Sequence, residues 1–87
     1  MRAVWTDPAE ARDVLAGMGS PRDWRSHGTR ALQAGTVRRD AALALARLRQ
    51  DGRQDNREAL REWRAVAALA RRTERRQRRL ARQAAQP

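Results

Sequence analysis

Cysteine, lysine, isoleucine, phenylalanine and tyrosine are absent from this 87-residue chain, and histidine occurs once. Without cysteine there can be no disulfide and no thiolate metal site. A lone His27 cannot supply a metal centre of ordinary kind, so neither a metal nor a cofactor is expected. Large apolar side chains are scarce too: three tryptophans, eight leucines, four valines and two methionines. A core built from them is small, which predicts marginal stability and some help from a partner. No apolar run approaches the roughly 20 residues of a membrane span. Asp7, Glu10 and Asp13 interrupt the N-terminal stretch, so no secretory signal is expected and the cytoplasm is the default compartment. No segment carries the alternation of a strand.

What the chain has is arginine. All 20 basic residues are Arg, set against 10 acids, for a net charge of +10. A codon bias toward Arg, Ala and Gly accounts for much of this. Arginine is nonetheless the cation that binds phosphate bidentately and stacks on bases. Its distribution is uneven. Seven arginines and one glutamate follow Ala70, net +6, whereas the seventy residues before carry thirteen arginines and nine acids, net +4. A basic character concentrated at one end suits a chain that grips a polyanion with a terminal arm.

The order of capping signals predicts an all-α fold in one domain over residues 1–87. Asp7-Pro8-Ala9-Glu10 opens a first helix with an acidic cap, proline in the first turn and a capping-box glutamate. Ala11, Val14, Leu15 and Met18 form its stripe, and Gly17 or Gly19 ends it. Ser20-Pro21-Arg22-Asp23 repeats the start signature, for a short helix that Gly28 interrupts. Thr29 caps another brief turn through Leu32 to Gly35. Thr36 then begins a clearer helix to Asp51, with Val37, Ala41, Ala44, Leu45 and Leu48 on one face and Gly52 at its C-cap. Asp55 and Glu58 form a capping box for a long last helix over residues 56–86, so residues 1–55 supply the short helices and the first arm of an antiparallel hairpin.

That last helix segregates its charge. At about 100° per residue, Arg57, Arg61, Arg64, Arg71, Arg72, Arg75, Arg76, Arg78, Arg79 and Arg82 fall within an arc of roughly 160°. The opposite arc holds Ala59, Trp63, Val66, Ala67, Ala70, Thr73, Gln77, Leu80 and Ala84. The result is an amphipathic helix with a guanidinium face about 45 Å long. Trp63, between Leu60 and Val66 on the seam, is expected to join this helix to the Thr36 helix. Glu58 and Glu62 pair with nearby arginines at helical spacing, so the uncompensated charge begins at Arg71.

The run Arg71-Arg72-Thr73-Glu74-Arg75-Arg76-Gln77-Arg78-Arg79-Leu80-Ala81 resembles the arginine-rich RNA-binding motif of lambdoid antitermination N proteins. The resemblance implies a helix docked in the widened major groove of an RNA hairpin, with Arg71, Arg72, Arg75, Arg76 and Arg79 on phosphates and bases. A second stretch, Ala34 to Gly52, resembles the recognition helix of a GntR-type helix-turn-helix. That likeness implies a turn at Gly35, the small Ala31 before it, and Arg38 and Arg39 at the groove-facing start.

Asp23, Ser26 and His27 bring an acid, a hydroxyl and an imidazole close in sequence. Triads are defined by geometry and not by adjacency, so capping or surface roles are expected and an enzyme is not. The expected function is nucleic-acid binding, RNA or DNA, through Arg64, Arg71, Arg72, Arg75, Arg76, Arg78, Arg79 and Arg82, with Arg38 and Arg39 as a secondary contact. Size and bias fit an accessory factor of a phage or mobile element. The alternative is an assembly subunit: the seam through Leu69, Leu80 and Ala84 would run beyond the reach of the Thr36 helix and pair with a second copy or another protein. A membrane-surface helix fits less well, because the aliphatic side is thin in Leu and lacks Phe.

Overall fold

The computed structural model describes residues 3–86. Among them the fold is all-α, with α1 over Pro8–Ala16, α2 over His27–Asp51 and α3 over Arg57–Ala85. A 3-10 turn, Gln54–Asn56, leads into α3. The helices pack into a body of 52 × 22 × 20 Å.

Asp7 opens α1 as its sequence predicts, its Oδ1 accepting from the Ala9 N–H at 2.9 Å. Gly17 closes it. The second start signature does not open a helix. Ser20 to Asp23 form turns instead, with the Asp23 N–H donating to the Ser20 carbonyl at 2.9 Å and Gly19 at φ 84°.

The largest departure concerns α2, which begins nine residues before Thr36 and runs unbroken through both glycines. Ser26 is its N-cap, and Ser26 Oγ accepts from the Thr29 N–H at 3.1 Å. Gly28 therefore lies in the first turn, where its flexibility costs little. Gly35 is a true interior glycine, with a penalty of about 1 kcal/mol relative to alanine. Burial of Ala31, Ala34, Val37 and Ala41 on either side outweighs that penalty. At the far end Gly52 adopts φ 67° and its N–H donates to the Leu48 carbonyl at 3.2 Å, an αL cap that favours glycine. The expected Asp55–Glu58 capping box is not formed. Asn56 occupies the N-cap of α3 in helical conformation without a side-chain cap bond, because the preceding 3-10 turn already feeds the helix.

The early start of α2 changes the architecture. At 1.5 Å per residue α2 is about 37 Å long and α3 about 43 Å, so α2 lies along most of α3. The last helix outruns its partner only past Gln77, which the first residue of α2 meets. The core unites Ala11 and Leu15 of α1, Ala34, Val37, Ala41 and Leu45 of α2, and Trp63, Val66 and Ala70 of α3. Trp63 is buried there, as expected. Alanines at the contact let the helix backbones approach closely, which is how a chain poor in large side chains closes a core.

Asp40 is also fully buried, and its role is tertiary. Its Oδ2 accepts from the N–H groups of Val4 and Trp5, both at 2.9 Å. Its Oδ1 takes Arg39 at 3.3 Å. One carboxylate thus ties the extended N-terminal segment across α2 and lays Trp5 against the core. A buried charge paired in this way is satisfied; left alone it would cost several kcal/mol (order of magnitude).

Candidate nucleic-acid interface

α3 divides into a packed side and a solvent side. Trp63, Val66, Ala70, Glu74 and Gln77 are buried. Arg64, Arg71, Arg72, Arg75, Arg76, Arg78, Arg79 and Arg82 are all exposed, so the eight candidate residues share one open face. Arg57 and Arg61 extend it toward the start of the helix.

Two of the buried residues are polar, and they redefine the seam. At about 100° per residue Glu74 lies only about 20° from Trp63 around the axis, pointing inward and not among the arginines. Its side chain is 8% exposed. Oε1 accepts from Arg38 Nε at 3.0 Å, and Oε2 from Arg78 at 3.3 Å one turn along. Gly35 makes room for this carboxylate, since a Cβ there would overlap Glu74 Oε2. One turn further, Gln77 Oε1 meets His27 Nδ1 at 2.7 Å. Past Ala70 the seam is therefore closed by an ion pair and a hydrogen bond to the first half of α2.

The candidate arginines consequently differ in availability. Arg78 is held by Glu74. Arg64, Arg71, Arg72, Arg75, Arg76, Arg79 and Arg82 form no carboxylate ion pair among the described residues. Nor do Glu58 and Glu62 neutralise the first half of the helix: both stand without an ion pair among those residues. Unpaired guanidinium groups on a rigid helix keep their donors for an external acceptor.

Arg38 and Arg39 are not arranged as the helix-turn-helix likeness implies. There is no turn at Gly35, so both lie mid-helix, each half-exposed and each tied to an acid, Arg38 to Glu74 and Arg39 to Asp40. They do line one shallow groove with Arg78, together with Leu32, Ala42 and Leu43. Asp23, Ser26 and His27 likewise serve three separate purposes. Ser26 caps α2, His27 meets Gln77, and Asp23 braces the loop between α1 and α2.

That brace is extensive. Asp23 Oδ2 accepts from the Gly19 N–H at 2.9 Å and sits 2.9 Å from Arg30 Nε, while Oδ1 accepts from Arg25 Nε at 2.7 Å and from the Arg25 N–H at 3.2 Å. The Arg25 guanidinium, helped by the Gly19 amide, holds the Asp23 carboxyl well below the usual carboxylate range.

On the other flank of α3, Leu69, Thr73, Arg76 and Leu80 line a cleft of about 480 Å³ with Leu15, Met18, Gly19, His27 and Arg30. Leu69 packs against the core and Leu80 is half-exposed on the cleft wall, while Ala84 stands open. Among the described residues no helix is long and apolar enough to cross a membrane. Comparison with protein-family models, with curated proteins and with solved structures gives no match.

Proposed function

We propose that this protein binds nucleic acid through the solvent face of α3, by phosphate neutralisation and guanidinium hydrogen bonding. The observation that carries the proposal is the run of exposed arginines free of internal carboxylates along one rigid helix, above a side already used for packing. A polyanion with regularly spaced charges matches such a face, and nucleic acid is the commonest polyanion of that kind. The competing assembly function is left with the short stretch past Gln77, where Leu80 is half-exposed and Ala84 exposed, because α2 covers the seam up to that point.

Binding that engages four to six of these arginines releases counterions, so the affinity should fall with salt at a log–log slope on the order of −3 to −5. Replacing Arg71, Arg72, Arg75 or Arg79 singly by glutamine should reduce the slope by about one unit. Arg38→Gln, whose guanidinium is occupied by Glu74, should leave it nearly unchanged. A fluorescence-anisotropy titration across a salt series reads all of these. An interaction insensitive to salt, or the same slope in every arginine variant, would retire the proposal.

A further inference from the structure

Trp24 is 89% exposed, more than Val4 or Leu32, the other large apolar side chains that stand out in solvent among the described residues. An indole left in water forgoes the burial that tryptophan usually finds, so its placement calls for a physical reason. The backbone that carries it is fixed on both sides. Asp23 before it accepts three hydrogen bonds and pairs with Arg30, and the Asp23 carbonyl accepts from Arg30 at 3.0 Å. Arg25 after it is clamped to Asp23 and donates to Gln33 Oε1. The loop therefore presents Trp24 in an ordered position, which lowers the entropy lost on binding.

Its location matters as much as its order. Arg30, which touches Asp23 from α2, lines the cleft that also contains Arg76 of α3. The loop that carries Trp24 therefore adjoins, through Gly19 and Arg30, the cleft edged by Arg76 of α3, and it also bears the exposed Arg22. An aromatic platform beside a phosphate-binding track is the arrangement that holds an unpaired base, because stacking supplies affinity while cations hold the strand. In a plain duplex the bases are already stacked on one another and offer no free face.

We propose that Trp24 is a stacking site for an unpaired nucleobase, so that the ligand is a nucleic acid with a looped or single-stranded segment beside the part held by α3. This rests on the nucleic-acid function proposed above. The net charge of the surrounding surface favours a polyanion over a protein as the occupant.

The test uses the full chain and two labelled probes, an RNA hairpin with an unpaired loop and the same stem as a blunt duplex. Trp24→Ala should weaken hairpin binding about five- to hundredfold. Duplex affinity, salt slope and melting temperature should stay unchanged, and Trp24→Phe should recover most of the loss. The hairpin should also shield Trp24 from acrylamide quenching, read as the difference between wild type and the Trp24→Phe variant. Equal hairpin affinity in wild type and Trp24→Ala overturns the stacking site while leaving the arginine face standing, provided wild-type binding remains salt-sensitive. Binding to neither probe overturns both. Loss of self-association in Trp24→Ala with nucleic-acid affinity intact overturns it in favour of a contact between copies.

Discussion

Near the hairpin turn, Ala44 and Leu48 of α2 share a pocket with Trp63 of α3 and Trp5 of the N-terminal segment. About 20 Å along the same helix pair, Arg38 and His27 of α2 meet Glu74 and Gln77 of α3. The first contact gains from removing apolar surface from water, roughly 25 cal/mol per Å². The second must first overcome the desolvation of a carboxylate, and it nets far less. The cheaper solution in stability would be a leucine at position 74. What the carboxylate does instead is hold Arg38 and Arg78 against the helix pair, beneath the most basic stretch of the molecule. Packing thus anchors one end, while the other is tuned by charge.

The sharpest way to break this comparison is Trp63→Ala. Loss of a buried tryptophan costs about 3–5 kcal/mol, comparable with the whole stability of a domain this small. Circular-dichroism melts should show the chain largely unfolded or shifted steeply downward. A melting temperature that hardly moves would mean that the apolar end is not the anchor.

The polar end should respond more mildly and in a coupled way. Removing one partner of a fully buried ion pair costs about 3–5 kcal/mol, but the Arg38 and Arg78 side chains are 43% and 62% exposed and can turn to water. Glu74→Ala should therefore cost only about 1–2 kcal/mol. Gly35→Ala adds about 1 kcal/mol of helix propensity yet drives a methyl group into the Glu74 carboxylate. In the wild-type background the variant should destabilise by about 1 kcal/mol, and in the Glu74→Ala background it should stabilise by a similar amount. A double-mutant cycle in urea measures the reversal of sign. Stabilisation in both backgrounds would mean that Gly35 is not reserved for Glu74. A cut after Ala70 cannot separate these effects from binding, because it removes Glu74 and Gln77 together with the arginines.

What the sequence made legible was local. The Asp7 cap, the Gly52 C-cap, the arginine face and the burial of Trp63 follow from spacing and from one residue's own chemistry. The continuity of α2 did not, because two glycines signal a break whose cost, about 1 kcal/mol each at most, is smaller than the burial that tertiary packing adds. Glu74 was in principle readable: helical angle places it beside Trp63, but its charge suggested solvent. Asp40 could not be read as a tie, since its partners lie 35 and 36 positions away. Trp24 failed for the opposite reason, because tryptophan in a chain poor in aromatics suggests core.

Acid offers the gentlest probe, since it acts on the loop brace through the different proton affinity of Asp23 in the folded and unfolded chains. The ordinary value for the Asp23 carboxyl is near 3.8, and in the folded protein Arg25 and the Gly19 amide hold it well below that. As the pH falls through 3.8 the unfolded chain takes up a proton on Asp23 that the folded chain still refuses. Stability therefore declines with falling pH in that window and is fully present above it. In Asp23→Asn the group is neutral in both states, so the variant should melt below the wild type at neutral pH. The gap between the two should narrow as the pH drops under about 4. Paired melting curves from neutral pH to pH 3 decide the matter: a gap that stays constant throughout would show that the Asp23 brace contributes nothing through its charge.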